Sequence, residues 1–213
     1  MGYRAADGQK VVSVTTVISK FKEAGGLMHW AWKEGIEGRD YRETRDKAAD
    51  AGSLGHAMIE NWAKGLPVDD IIGPEDVLGP ARQGFHSFLA WAASTKLQIV
   101  AQEVSLVSEK YRFAGCLDST LVVVVDGALS MGDWKFSNSV YSEYMIQLAA
   151  YGLLWEENNP DQPLTGGFHL MRFSKEFGDF SHRHWPELER AKRAFLLMRE
   201  LYDIKGELDK RVK

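Results

Sequence analysis

Residues 121–136 read LVVVVDGALSMGDWKF, and this stretch decides the fold. The run 121–125, a leucine followed by four valines, is apolar on both faces, which is typical of a central strand covered on two sides. Asp126 and Gly127 suit a tight hairpin turn, and residues 128–136 alternate as a second strand. The stretch therefore predicts two adjacent strands in the interior of a sheet.

The sequence on either side of this stretch predicts helices before the sheet and mixed elements after it. Residues 11–18 are β-branched except for Ser13 and predict a short strand, and 39–47 predict an exposed helix face or a loop. The other predicted helices cover about 27–32, 48–63, 74–94, 142–157 and 186–210. The other predicted strands cover 97–107, 112–125, 165–173 and 178–184.

This order predicts one domain over residues 1–213, of the α/β or α+β class, with a mixed central β-sheet flanked by helices. A mostly helical N-terminal part is expected over 1–96, a sheet core over 97–184 and a C-terminal helix over 185–213. Strands 97–107, 112–125 and 128–136 are expected to form a three-stranded meander.

The composition excludes several classes of protein. With 45% hydrophobic and 26% charged residues, the chain is neither disordered, collagen-like nor a coiled coil. A single cysteine, Cys116, cannot form an intrachain disulfide or supply an iron–sulfur cluster, so any metal is expected on oxygen and nitrogen. The lack of a long apolar run and of a signal-peptide core predicts a cytoplasmic protein with no membrane partner.

Charge is unevenly distributed around a net value of -4. Residues 1–47 and 182–213 are mildly basic, whereas residues 48–181 contain eight Lys and Arg against seventeen Asp and Glu. The acidic middle contains the candidate metal site described next. Acidic solvated loops would explain the same distribution.

The candidate chemistry lies in strand 128–136. The period of two places Asp133 and Lys135 on one face and Trp134 on the other. Asp118 lies in the preceding predicted strand, where the hairpin could bring it opposite Asp133. Two carboxylates and a backbone carbonyl form a hard oxygen site for Mg²⁺ or Mn²⁺, and a neighbouring lysine can position or deprotonate a water molecule. When an Asp-x-Lys pattern occurs alone on a strand, it more often forms an ordinary ion pair at the surface.

Three further features lie before and after this pair in the sequence. Taken singly, each of them could serve only helix packing or burial in the core. They are Gly115 three residues before Asp118, Gln147 and Tyr151 on one face of the helix after Lys135, and Gly52, Gly55 and His56 on an upstream helix. Their order along the chain adds specificity that none of them has alone.

In that order, the residues resemble the RecB-like branch of the PD-(D/E)XK nuclease superfamily. The matching positions are Gly52 with His56, Glu103, Gly115 with Asp118, Asp133 with Lys135, and Gln147 with Tyr151. The resemblance spans residues 11–151, and the opening Ser13–Ile18 is similar to that of small stand-alone phage and prophage members. The last 60 residues carry no recognisable motif.

The resemblance implies a restriction-endonuclease-like core and a deoxyribonuclease that depends on Mg²⁺ or Mn²⁺. It assigns the metal to His56, Asp118, Asp133 and the carbonyl of Trp134, and it makes Lys135 the catalytic lysine. Gln147 and Tyr151 would contact DNA or orient the site. Glu103 would join the catalytic group by touching a second metal or by holding Lys135, unless it is only an exposed strand residue.

Two motifs found in other members of this nuclease branch are missing from the chain. The chain lacks the four cysteines of iron–sulfur members, and it lacks the Walker A loop, so neither an iron–sulfur cluster nor a nucleotide cofactor is expected. It most resembles small exonucleases of phage recombination and mitochondrial genome maintenance, which act on DNA ends or single strands. A recombination or single-strand-binding protein is a candidate partner. The alternatives are a flap or lesion endonuclease and a catalytically silent DNA-binding module, and the oligomeric state stays open.

Aromatic and basic residues are interleaved in the N-terminal helical part. Such a mixture can form a groove for single-stranded nucleic acid, but tryptophans at helical spacing usually pack inward. We therefore expect Trp30, Trp32 and Trp62 in the core, with a single-strand channel as the alternative. The other members of this group are Tyr41, Lys33, Arg39, Arg42, Arg45 and Lys47.

Overall fold

The computed structural model describes residues 2–22, 25–117, 120–174 and 179–212. The helices are α1 (Val14–Ser19), α2 (Gly25–Ile36), α3 (Tyr41–Ala63), α4 (Glu75–Ser94), α5 (Ser142–Asn158) and α6 (Glu189–Arg211). The strands are β1 (Val12–Ser13), β2 (Gln98–Ala101), β3 (Val104–Ser108), β4 (Phe113–Leu117), β5 (Thr120–Val125), β6 (Ala128–Phe136), β7 (Gly167–Phe173) and β8 (Phe180–Trp185). No helix within these ranges is both long and apolar enough to cross a membrane.

A five-stranded mixed sheet, in the order β2-β5-β6-β7-β8, carries the candidate chemistry. Strands β6 and β7 are parallel, and the other neighbours are antiparallel. The predicted hairpin is confirmed, because β5 and β6 pair from Val125 opposite Ala128 to Thr120 opposite Asp133. Strand β5 lies inside the sheet, with Val122 buried on one face and Val123 on the other.

A second, three-stranded sheet has the order β1-β4-β3, and it makes the predicted meander wrong. The stretch expected as one strand over 97–107 divides into β2 and β3, which belong to different sheets. Glu103 lies at the division with a left-handed φ of 55°, which interrupts the extended backbone. Likewise, β4 and β5 divide the stretch 112–125 between the two sheets.

The predicted strand over 11–18 is mostly a helix. Only Val12 and Ser13 are extended, and the Ser13 hydroxyl caps α1 by accepting a hydrogen bond from the Thr16 amide at 3.1 Å. Val14 and Val17 are then buried on one helical face, at a spacing of three residues. Burial of that face outweighs the low helix propensity of β-branched residues.

Helix α3 begins seven residues earlier than expected, so the alternating-charge segment is helical from Tyr41. The Asp40 carboxylate caps it by accepting from the Arg42 amide at 2.8 Å. The Arg39 guanidinium also donates two hydrogen bonds, of 2.8 and 2.6 Å, to the buried Glu34 carboxylate of α2. This guanidinium lowers the pKa of Glu34 to about 2. The contact fastens the end of α2 to the start of α3.

The five-stranded sheet is covered on both faces. On the α3–α4 face, helices α3 and α4 pack over a cluster that contains Val123, Val125, Trp134, Phe136, Met171 and Phe173. On the α5 face, α1, α5, α6 and the second sheet pack over Val122, Met131 and Phe168. The expected mixed α/β class, with mixed sheets flanked by helices, is confirmed.

Candidate active site

Asp133 and Lys135 lie side by side on the α5 face of β6. The Asp133 carboxylate is fully buried, and its Oδ2 atom lies 2.9 Å from Lys135 Nζ. Trp134 points to the opposite face, where its ring packs edge-on against Phe88 at 5.2 Å between centroids. A buried carboxylate is costly unless it is paired, so the lysine offsets a charge that β6 brings into the interior.

Two side chains of helix α5 contact Lys135. Lys135 Nζ donates a hydrogen bond to Gln147 Oε1 at 3.2 Å and lies 5.4 Å from the centre of the Tyr144 ring. Burial raises the pKa of Tyr144, which keeps its hydroxyl protonated. Tyr144 is not among the residues predicted from the sequence, although its position three residues before Gln147 places both on one helical face.

Tyr151 lies one turn beyond Gln147 and belongs to the core. Its side chain is only 3% exposed, and its ring rests on Gly115 of β4. A Cβ atom added to Gly115 would lie 2.5 Å from Tyr151 Cε1. Gly115 therefore leaves room for this ring, and the contact joins two of the sequence motifs directly.

His56 approaches β6 from the α3–α4 face. Its ring packs edge-on against Phe136 at 5.3 Å between centroids. Phe136 lies in a slot between two glycines, because a Cβ atom on Gly55 or Gly84 would come within 2.2 or 2.5 Å of its ring. Strand alternation places Phe136 opposite Lys135, so His56 and the Asp133–Lys135 pair reach β6 from different faces.

Glu103 forms its ion pair with Lys64 rather than with Lys135. Its Oε2 atom lies 3.1 Å from Lys64 Nζ, and its side chain is half exposed. Lys64 also pairs with Glu60 at 2.6 Å and lowers the pKa of that carboxyl. Glu103 therefore ties the junction between β2 and β3 to the end of α3.

Asp118, the second predicted carboxylate, lies outside the described residues, so its approach to Asp133 stays a prediction. Within 2–22, 25–117, 120–174 and 179–212, no three or more histidine, cysteine or carboxylate side chains are grouped to hold a metal ion. The structure thus brings together Asp133, Lys135 and Gln147, while the complete metal ligand set stays a prediction.

The three tryptophans expected in the core have different environments. Trp62 packs against Phe88 at 5.1 Å between ring centroids, and Trp30 is half-buried with its ring edge-on to Tyr41. Trp32 is 62% exposed, so its predicted burial is wrong. Helix α2 packs mainly through its contact with α3, which leaves this ring on the surface.

Strands β7 and β8 bring together three histidines that the sequence separates. His169 Nδ1 lies 2.8 Å from His182 Nε2, and the His169 ring stacks on that of His184 at 4.5 Å. Burial and the two neighbouring rings lower the pKa of His169 to about 4. His169 is therefore neutral at neutral pH.

Comparison with models of known protein families finds no match, and comparison with curated proteins finds none either. Among solved structures, 16 chains are similar. One is the crystal structure of a protein from Eubacterium rectale named "Putative exonuclease", with 14% sequence identity and a TM-score of 0.49. The similarity covers 73% of this chain and 65% of that one, so the chain spans less than two thirds of that protein.

Proposed function

We propose that this protein is a divalent-metal-dependent deoxyribonuclease that acts as an exonuclease on DNA ends or single strands. The observation that carries the proposal is the fully buried Asp133 carboxylate, 2.9 Å from Lys135 Nζ. Lys135 in turn contacts Gln147 on α5. A buried carboxylate and lysine held by a third polar group are more typical of a functional site than of a stabilising pair.

The residues present fit a hard divalent cation in part. Asp133 offers a carboxylate oxygen, and by sequence Asp118 would add a second from just before the start of β5. The resemblance also implies the carbonyl of Trp134 and the imidazole of His56 as ligands, and of these His56 approaches β6 from the face opposite Asp133. Oxygen ligands with one imidazole suit Mg²⁺ and Mn²⁺. Such a cation would stabilise the negative charge that develops on a phosphate during hydrolysis.

The remaining chemistry belongs to the side chains. The Lys135 ammonium provides positive charge and a proton donor beside the position where a scissile phosphate would lie. Asp133 and Gln147 hold that ammonium from two directions, which fixes its position before substrate binds. The Tyr144 ring lies beside the lysine, 5.4 Å from Nζ to the ring centre. Tyr151 would act indirectly, by fixing α5 on β4.

The exposed Trp32 supports single-stranded DNA as a substrate. Its ring lies at the surface of α2 and contacts His29 at 5.5 Å between ring centroids, and Lys33 follows it in the chain. Exposed aromatic rings with basic neighbours bind single strands by stacking on bases of any sequence.

The test uses end-labelled linear and circular DNA, each single- and double-stranded, with Mg²⁺, Mn²⁺, Ca²⁺ or chelator. We expect linear DNA to be degraded from its ends with Mg²⁺ or Mn²⁺, circular DNA to persist, and Ca²⁺ or chelator to prevent cleavage. Cleavage of circular strands would favour the endonuclease alternative. Binding of DNA without cleavage under any of these metals would favour the silent module.

Two variants test the residues themselves. Asp133→Asn keeps the shape of the side chain and removes its charge, and Lys135→Ala removes the ammonium. Each should fold, still bind a DNA end and lose at least about a hundredfold in cleavage rate. The double variant should be barely worse than either single one, because both residues serve one transition state. Additive losses would contradict this joint role.

The matched control is Asp7→Asn. Asp7 also forms an ion pair of 2.9 Å, with Arg112, but its carboxylate is half exposed and lies on the N-terminal segment. This variant removes an equivalent charge outside the candidate site, so it should cleave DNA at the wild-type rate. A comparable loss in the control would mean that net charge, rather than the site, controls activity.

A further inference from the structure

Helix α6 carries apolar side chains on two separate faces. One face packs into the core through Ala191, Phe195, Met198 and Tyr202. The other carries what we call the α6 stripe, in which each side chain is between 44% and 55% exposed. The members of the stripe are Leu197, Leu201, Ile204 and Leu208. At 100° per residue the stripe points away from the core, so the body of the protein leaves it accessible.

The spacing of the stripe is that of a helix seam. Its members follow one another at steps of four, three and four residues, which is the pattern of the apolar positions in a two-stranded coiled coil. Soluble monomers seldom expose an apolar surface of this regularity, and such patches usually mark an interaction site.

The last turns of α6 also lack packing partners of their own. Residues 203–212 are all exposed, and Gly206 lies inside them with no atom near the position of a Cβ. A glycine inside an exposed helix costs about 1 kcal/mol relative to alanine, and short unsupported helical segments are marginal in water. A second helix along the stripe would supply the missing packing.

We propose that the α6 stripe binds the same stripe of a second copy of this chain, with the two helices parallel about a twofold axis. Charge complementarity selects this occupant and this direction. Glu200 and Lys205 flank the stripe on opposite sides, five residues apart. In a parallel pair, positions five residues apart meet across the seam, so Glu200 of each copy faces Lys205 of the other.

The antiparallel alternative is electrostatically unfavourable. The register that places Leu201 against Ile204 of the other copy would bring Glu200 opposite Glu207, twice. Like charges at these flanking positions oppose association. The same stripe therefore accepts a second copy in one direction and disfavours it in the other.

Analytical ultracentrifugation of the full chain, without DNA or metal, tests the proposal independently of nuclease activity. Over a wide concentration range we expect a species of twice the 24.0 kDa of one chain. Leu201→Asp should raise the dissociation constant of this dimer at least about tenfold, because it places a charge in the seam of both copies. The control Lys210→Glu changes a charge outside the stripe and should leave the constant unchanged. A monomer at every concentration would overturn the proposal.

The direction of the helices is tested by charge reversal. Glu200→Lys and Lys205→Glu should each weaken the dimer, and the two together should restore it, because the exchanged charges again face each other. Circular dichroism of each variant checks that α6 stays helical. Tighter association of Glu200→Lys alone would indicate an antiparallel pair and overturn the parallel arrangement, as would a failure of the double variant to recover.

Discussion

Gly115→Ala should destabilise the protein by forcing apart β4 and α5. The added methyl carbon would lie 2.5 Å from Tyr151 Cε1, 3.2 Å from Tyr151 Cζ and 3.3 Å from Leu154 Cδ1. Neither neighbour can move aside easily, because the Tyr151 ring is almost fully buried and Leu154 is entirely so. The backbone of β4 is held in turn by β1 and β3 on either side.

The expected cost follows from this geometry. Adding a carbon to a closely packed interior costs about 1–3 kcal/mol, and in a chain of this size each kcal/mol lowers Tm by about 2–4 °C. Urea and thermal unfolding would measure the change. The matched control is Gly35→Ala in α2, where no atom of another element lies within 4 Å of the added methyl. Helix propensity should make that control more stable than wild type, by about 0.5–1 kcal/mol.

A second substitution shows whether the Tyr151 ring is the cause. In a Tyr151→Leu background the ring is absent, so Gly115→Ala should cost at least about 1 kcal/mol less than in the wild type. In a Tyr151→Phe background the ring carbons remain, and the cost should be unchanged. Wild-type stability of Gly115→Ala, or an equal cost in the Leu and Phe backgrounds, would refute a clash with the Tyr151 ring.

Three further predictions concern pH, substrate and metal. The pKa of His169 is about 4 in the folded chain and about 6.5 in the unfolded chain. Between these pH values the unfolded chain binds a proton that the folded chain does not bind, so the free energy of unfolding should fall as the pH drops from 6.5 to 4. The urea midpoint of His169→Asn should fall less over this pH range than that of the wild type. His86→Asn, at an exposed histidine, should retain the wild-type fall. Equal slopes of midpoint against pH in the two variants would exclude His169 as the cause. Trp32→Ala should weaken binding of single-stranded DNA by about 1–3 kcal/mol in a fluorescence titration, whereas Trp32→Phe should retain most of the affinity; wild-type affinity in the alanine variant would remove α2 from the binding surface. His56→Ala should weaken Mn²⁺ binding in calorimetry while the chain stays folded, and unfolding of the variant would instead make the contact with Phe136 the main role of His56.

Strand alternation in β6 could be predicted from the sequence because it is a local property of the backbone. The period of two in residues 128–136 places Asp133 and Lys135 together and Trp134 opposite, and the structure has β6 with the same bounds. The apolar run 121–125 likewise predicts the interior position of β5. Helix α5 was predictable within one residue, since its apolar and polar positions follow the helical repeat.

Contacts between distant parts of the chain could not be predicted in this way. The β-branched residues 14–18 are helical because the core buries one side of α1, a preference that local propensity opposes. The division of 97–107 into two sheets depends on the left-handed φ of Glu103, a conformation that a glutamate in the sequence does not predict. Tertiary packing decided both, because burial of apolar surface outweighs the small differences in local propensity.

The geometry of the candidate site depends both on the local sequence pattern and on tertiary packing. Sequence alone determined which face of β6 carries Asp133 and Lys135, because neighbours on a strand alternate by geometry. Only the tertiary structure decided that Gln147 meets Lys135, that Tyr151 fills the space beside Gly115, and that His56 approaches from the other face. Those contacts join residues far apart in the chain, and their geometry depends on how helices α3 and α5 are seated on the sheet by the close packing of whole side chains.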